Sequence, residues 1–193
     1  AALGAIGLAL YGDSPKAEGY VQLAYDFIKE YGRARQYEDG SSGGGSYSIH
    51  HGFPDFGRLV CAFESATDAR LLDFIQKKQG NWLERQLDWQ IWSTYPTGYY
   101  IKEGDIWHDR DNEQMRMNVD ILTGLLNNGF GRTHADNVFK RYGTKDYWGG
   151  YVWDFFVFNN PDVKPRPLDG LGRATMFGKE SHGYVFFRSG WGE

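Results

Sequence analysis

Apolar residues recur at helical spacing through most of this chain. Ala2, Ala5, Ile6, Ala9 and Leu10 share one face of a first predicted helix. Tyr11-Gly12-Asp13 breaks it. Ser14 followed by Pro15 reads as the cap and first position of a second helix, whose stripe is Val21, Ala24, Tyr25 and Ile28. So short a link makes the two helices antiparallel neighbours. Residues 38–53, EDGSSGGGSYSIHHGF, are predicted as a loop, followed by a helix over 54–64 with Phe56, Leu59, Val60 and Phe63 inward. Thr67 or Asp68 is expected to cap a helix carrying Leu71, Leu72, Phe74 and Ile75. Gly80 interrupts the pattern, and Trp82, Leu83, Leu87 and Ile91 resume it toward Trp92.

Residues 93–110, STYPTGYYIKEGDIWHDR, read as a second long loop. A helix is predicted from 111 to 127 with Met115, Val119, Leu122 and Leu126 inward, ended by Gly129 and Gly131, and two more over 134–142 and 147–158. PDVKPRPLDGLG is an extended linker, because proline removes backbone donors and fixes φ. The period changes only at the end. Tyr184, Val185, Phe186 and Phe187 are strand formers bounded by Gly183 and Gly190. A lone strand leaves its ladder groups unpaired, so it is expected to open a β-domain that continues past Glu193. Ala1 falls inside a helical pattern, and the chain is therefore expected to be an internal piece of a larger protein. The predicted organisation is mainly α: helical hairpins over 1–160, a Pro-rich linker over 161–172, and the start of a β-domain over 173–193. Helical hairpins with polar, Gly-rich connections suit part of an α/α toroid; an ordinary bundle is disfavoured by the two long loops.

The composition includes 7 Trp, 13 Tyr and 13 Phe, which argues against disorder and suits either a packed core or surfaces on which sugar rings stack. A net charge of −4 is too small to imply a nucleic-acid partner through the overall field. No apolar run approaches the ~20 residues of a membrane span. The single cysteine, Cys61, excludes an internal disulfide and a cysteine-based zinc site; within LVCAF it reads as a buried, inert thiol. SSGGGS lacks the Gly-Lys-Ser/Thr of a phosphate loop, and no cofactor is expected.

Arg173, Phe177, Gly183, Tyr184, Val185 and then Arg188-Ser189-Gly190-Trp191 occur in an order that resembles the toroid-to-sheet junction of the heparinase II/III-like polysaccharide lyases. LALYGDSP is similar to a hairpin turn of that family's toroid. PTGYYIKEGD, with Pro96, Gly98, Gly104 and Asp105, is similar to its Pro-Asp-Gly…Gly-Asp loop. The resemblance implies a partial α/α toroid followed by the first strand of a β-sandwich, in a secreted or periplasmic bacterial protein. Missing toroid helices and the rest of the β-domain would lie elsewhere in the same parent chain. It also implies β-elimination on an acidic, uronic-acid-containing polysaccharide, with this fragment inactive alone.

Such chemistry needs a group that neutralises the substrate carboxylate, a base for the C5 proton and an acid for the leaving O4. Family members use His and Tyr for these tasks. The resemblance makes His51 the first candidate and His50 the second, with Tyr99, Tyr100 and Tyr95 as candidate catalytic tyrosines. Tyr47, Trp107, Arg110 and Arg116 are candidate substrate contacts. A further histidine of the β-domain would lie beyond Glu193. Paired histidines in a Gly-rich loop also suit plain surface positions, and loop tyrosines often pack with a wet hydroxyl.

EGDIWHDRDNE supports two other readings. As a calcium loop, Asp109-x-Asp111-x-Glu113 lacks the required glycine, since Gln114 stands there, so no metal is expected. As a glycosidase pair, Glu103 would act with Asp105 or Asp109, making a toroidal glycoside hydrolase the enzymatic alternative. A non-catalytic glycan-binding or scaffold module is the third possibility.

Overall fold

The structure, a computed structural model, describes residues 1–35, 39–41, 45–98, 101, 113–142, 152–178 and 183–191, with backbone alone for 32–35, 45–52, 113–116, 142 and 152. Eight α-helices are present among the described residues: α1 (Ala2–Ala9), α2 (Ala17–Arg35), α3 (Gly45–Ala66), α4 (Leu71–Lys78), α5 (Trp82–Ser93), α6 (Glu113–Leu126), α7 (Gly129–Tyr142) and α8 (Val152–Phe158). A 3-10 turn at Leu168–Leu171 leads to two strands, β1 (Ala174–Phe177) and β2 (Tyr184–Phe187). The chain is thus mainly helical with a small antiparallel sheet. Among the described residues no helix is long and apolar enough to cross a membrane.

α1 and α2 are antiparallel, as expected. Gly4 approaches Ala24 while Gly7 approaches Tyr20 and Val21, so the contact runs backward along α2. In α1 the predicted face of Ala2, Ala5, Ile6, Ala9 and Leu10 is exposed, because the helix packs on α2 through Gly4 and Gly7, whose missing side chains allow the close approach. From α2 to α5 the core draws on the predicted stripes. Ile28 of α2, Phe56, Val60 and Phe63 of α3, and Leu71 and Ile75 of α4 are buried against Trp82, Leu83 and Leu87 of α5. Tyr31 stacks on Phe56 at 4.4 Å between ring centres, and Phe56 lies 5.4 Å from Trp82. These aromatics fill the core.

Several boundaries differ from the sequence expectation. The loop predicted over 38–53 is largely helix, because α3 begins at Gly45 and runs through Pro54. Phe53 is fully buried against Phe56 and Trp82, and that packing outweighs the weak helical preference of the segment before it. Thr67 closes α3 rather than capping α4: its hydroxyl donates to Phe63 O at 2.8 Å. The start of α4 is served from α3, where Glu64 Oε1 accepts the Leu72 N–H at 3.0 Å. Gly129 and Gly131 open α7 instead of ending α6, because Asn128 Oδ1 accepts from the N–H groups of both Phe130 and Gly131. Gly131 is also a contact point: a Cβ there would meet Thr123 Oγ1 at 2.3 Å.

Cys61 is half-buried rather than sealed in the core. Burial, then Glu64, push its thiol above the ordinary value, so it stays protonated and unreactive at neutral pH.

The final strand is not alone. β2 pairs with β1 in register Ala174↔Phe187 through Phe177↔Tyr184. β1, ATMF, carries fewer strand formers than YVFF and follows directly on the proline-rich segment, so it does not stand out in the sequence. The sheet packs on the helical body: Tyr184 meets Trp89 edge-on, and Phe186 and Trp191 pack on Trp92. Phe177 is buried in the same core as α3 and α5. Two polar links tie distant segments together. The Gly178 N–H donates to Asp39, which also accepts from Ser41. Arg58 of α3 makes a two-point bond to Asp154 of α8, with Nη2 to Oδ2 at 2.6 Å and Nε to Oδ1 at 2.8 Å.

Candidate functional site

The end of α5 is where the sheet and the helical body converge. Its last carbonyls have no partners within the helix. The Thr94 hydroxyl serves Gln90 O and the Ile101 N–H serves Ser93 O, while Arg188, just after β2, serves the two between: its Nη2 donates to Trp92 O at 2.9 Å and to Ile91 O at 3.3 Å, and also to Thr94 O. A guanidinium at a helix C-terminus also complements the macrodipole. Trp191 covers it with its ring centre 4.2 Å from Arg188 Cζ, and the Trp191 indole N–H donates to Gly172 O at 2.6 Å. The Arg-Ser-Gly-Trp sequence therefore acts here as a clasp between sheet and helix.

Tyr95-Pro96-Thr97-Gly98 follows α5 as a turn. The Gly98 N–H donates to Tyr95 O at 2.8 Å, with proline at the second position, where its fixed φ suits the turn. Arg141 Nη2 donates to Pro96 O at 2.6 Å and holds this turn against α7. On α7, His134, Asn137, Val138 and Arg141 form one helical stripe facing it.

Two recesses flank Arg188. The smaller one, of about 60 Å³, is of mixed character: His134, Asn137, Arg141 and Arg188 line it together with Ile91, Val138 and Leu168. The aromatic one, of about 170 Å³, is walled by Trp92, Tyr95, Phe186, Phe187 and Arg188. Tyr95, Pro96 and Arg188 are common to both. His134 is buried, and among the described residues its Nε2 has no hydrogen-bond partner; the same holds for Arg188 Nε. Burial first, then the charges of Arg188 and Arg141, hold the His134 imidazole down to about 4, so it is neutral at pH 7.

Of the residues singled out from the sequence, Tyr95 stands at this junction, half exposed, between the two recesses. Tyr47, His50 and His51 have helical backbone in the N-terminal part of α3, so they do not sit on a loop as expected; their side chains lie outside the described residues. The same holds for the side chain of Arg116 in α6. Tyr99, Tyr100, Trp107 and Arg110 lie outside the described residues, as do Glu103, Asp105 and Asp109 of the glycosidase alternative. Among the described residues no cluster of His, Cys, Asp or Glu has the makings of a metal site. His134 is not among the residues that the sequence singles out. The available signal was the spacing of His134, Asn137 and Arg141 on one helical face.

No protein-family model matches this sequence, and comparison with curated proteins and with solved structures returns no match.

Proposed function

We propose that this chain is part of a polysaccharide lyase that cleaves a uronic-acid-containing glycan by β-elimination. Its helical hairpins would form part of an α/α toroid, and the β1–β2 hairpin the start of a β-sandwich, in a secreted or periplasmic protein. One observation carries the reading. Arg188 of the Arg-Ser-Gly-Trp segment caps α5 directly before the Pro96–Gly98 turn, so two segments on which the family resemblance rests meet at one place. That place also holds a tyrosine, a neutral imidazole and two guanidiniums.

In this reaction a base removes the C5 proton and its bonding pair becomes the C4=C5 double bond. The C4–O4 bond breaks, and an acid protonates the departing O4. Nothing is oxidised or reduced. Cationic or hydrogen-bonding groups beside the carboxylate stabilise the charge that develops when C5 loses its proton. His51, His50, Tyr99, Tyr100 and Tyr95 remain the candidates for proton transfer, and Tyr47, Trp107, Arg110 and Arg116 for substrate contact.

The test is product chemistry. The parent protein, incubated with alginate and with glycosaminoglycans, is expected to release oligosaccharides carrying a UV-absorbing unsaturated uronate, while the 193-residue chain alone releases none. Saturated products with new reducing ends would replace this reading with a glycoside hydrolase. Binding without any cleavage would replace it with a carbohydrate-binding module.

A further inference from the structure

The face of α1 that the sequence pattern marks for burial stands open, and the outer side of α2 is apolar as well. Leu3, Ile6, Leu10 and Tyr11 of the first helix and its turn, with Leu23 and Phe27 of α2, are each between 42% and 63% exposed. α1 carries no charged residue. A helix apolar on all sides is normally covered. Six large side chains of this kind leave several hundred Å² of apolar surface open. That is the upper end of what a monomer shows, and the scale of one partner's share of a standard interface, about 800 Å².

The pattern along α2 says what fits there. Ala17, Ala24 and Ile28 turn this helix toward the core. Lys16, at its N-terminus, and then Gly19, Leu23, Phe27 and Glu30 follow one another along the exposed side. Their spacing of three, four, four and three residues reads the same from either end, with Leu23 in the middle. Two α2 helices crossing antiparallel at Leu23 therefore set each position against its mirror: Leu23 meets Leu23, Phe27 meets Gly19, and Lys16 meets Glu30.

Each match is chemically apt. Glycine weakens a helix relative to alanine, and Gly19 has no packing reason within the chain, because a Cβ there would meet nothing within 4 Å. Across the axis it leaves a hollow for a phenyl ring. Phe27 is held in place for that role: Tyr31 meets it edge-on at 5.5 Å and is itself stacked on Phe56 of the core. Among the described residues neither Lys16 nor Glu30 has an ion-pair partner. Antiparallel pairing joins them, whereas parallel pairing would set Lys16 against Lys16 and Glu30 against Glu30.

We propose that two copies of this chain associate across a two-fold axis at Leu23, α2 against α2 and antiparallel, with the open side of each α1 at the rim. The Leu23 and Phe27–Gly19 contacts supply the burial. The exposed ion pairs fix direction and register more than affinity. The proposal makes no use of the lyase reading and stands or falls without it.

The test is sedimentation equilibrium of the 193-residue chain, with helix content followed by circular dichroism. Between about 1 and 200 µM the apparent mass is expected to rise from one chain to two, with a Kd of about 10 µM. Leu23→Glu sets two carboxylates at the axis. It is expected to weaken association at least about 100-fold with helix content unchanged, because Leu23 is no part of the core. Lys16→Glu is expected to weaken it about tenfold, and Lys16→Glu combined with Glu30→Lys to restore it. Trp153→Ser, on the exposed side of α8, is expected to leave the Kd in place. A chain still monomeric at the highest concentration overturns the proposal. Association that survives Leu23→Glu, or that Trp153→Ser abolishes with helix content retained, belongs to another surface and overturns it too. A charge swap that fails to rescue Lys16→Glu overturns the antiparallel register.

Discussion

The guanidinium of Arg188 lies 4.2 Å from the ring centre of Trp191 while one of its nitrogens donates to carbonyls at the end of α5. The stacking and the capping depend on a planar, multiply donating cation, which lysine is not. Arg188→Lys is expected to destabilise the protein by about 1–2 kcal/mol and Arg188→Ala by about 3 kcal/mol, read as a lower urea midpoint. Trp191→Phe removes the bond to Gly172 O and should cost about 1 kcal/mol. If Arg188→Lys is indistinguishable from the parent, the clasp has no energetic role.

His134 and Asp88 respond to pH in opposite directions. His134 is held at about 4 in the folded chain against an ordinary 6.5, chiefly by burial. Between those values the unfolded chain binds a proton that the folded chain refuses. Stability from this group is complete above pH 6.5 and falls by up to about 3 kcal/mol as pH drops to 4. Asp88 is pushed up to about 6 by burial and then by Glu84, against the pull of Arg85. Its contribution is complete below pH 3.8 and is lost as pH rises through about 6, by about 1–2 kcal/mol once its partial exposure is allowed for.

The two effects oppose each other between pH 4 and 6. Asp88→Asn should therefore gain about 1–2 kcal/mol at pH 7 and lose stability more steeply than the parent on acidification. His134→Gln should lose stability less steeply than the parent, or gain it. Urea midpoints across pH 4–8 for the three proteins check both statements, and parallel curves for all three would refute them.

The Arg58–Asp154 pair joins α3 to α8 with the carboxylate largely buried and the guanidinium about one-third exposed. Removing one partner leaves the other short of hydrogen bonds. Asp154→Ala is expected to cost about 2–3 kcal/mol, and the double variant with Arg58→Met less than the sum of the single changes. Additive losses in a double-mutant cycle would mean that the pair is not coupled.

Gly131 sits where α7 crosses α6. An added Cβ would fall 2.3 Å from Thr123 Oγ1 and 2.8 Å from Leu87 Cδ2. Gly131→Ala should cost about 1–3 kcal/mol despite the better helical preference of alanine, and Thr123→Ala in the same chain should restore part of it. A stabilised Gly131→Ala protein, judged by Tm, would show that the crossing can open without penalty.

Much of the helical body is legible in the sequence because its stripes are long. Spacing alone turns Ile28, Phe56, Phe63 and Leu87 inward, and all are buried. Elements governed by single side-chain contacts were harder to read. Nothing local to Gly45–Gly52 announces a helix; the burial of Phe53 beside Trp82 anchors that segment. Asn128 carried the start of α7 in plain view, yet the glycines beside it resemble a helix end until the Asn128 cap bonds are known. The recess beside His134 is out of reach for another reason. His134 and Arg188 meet only because β2 docks on α5, a tertiary event that no short-range pattern encodes.

The bond from the Gly178 N–H to Asp39 spans a sequence separation of 139 residues, and the Arg58–Asp154 pair spans 96. Closing such long segments costs chain entropy before any contact rewards it. The hairpin is therefore the element expected to lock in late during folding, after the α1–α5 body has condensed. Until then, the Ile91 and Trp92 carbonyls wait without Arg188, and the junction between the two recesses exists only once the last strand has arrived.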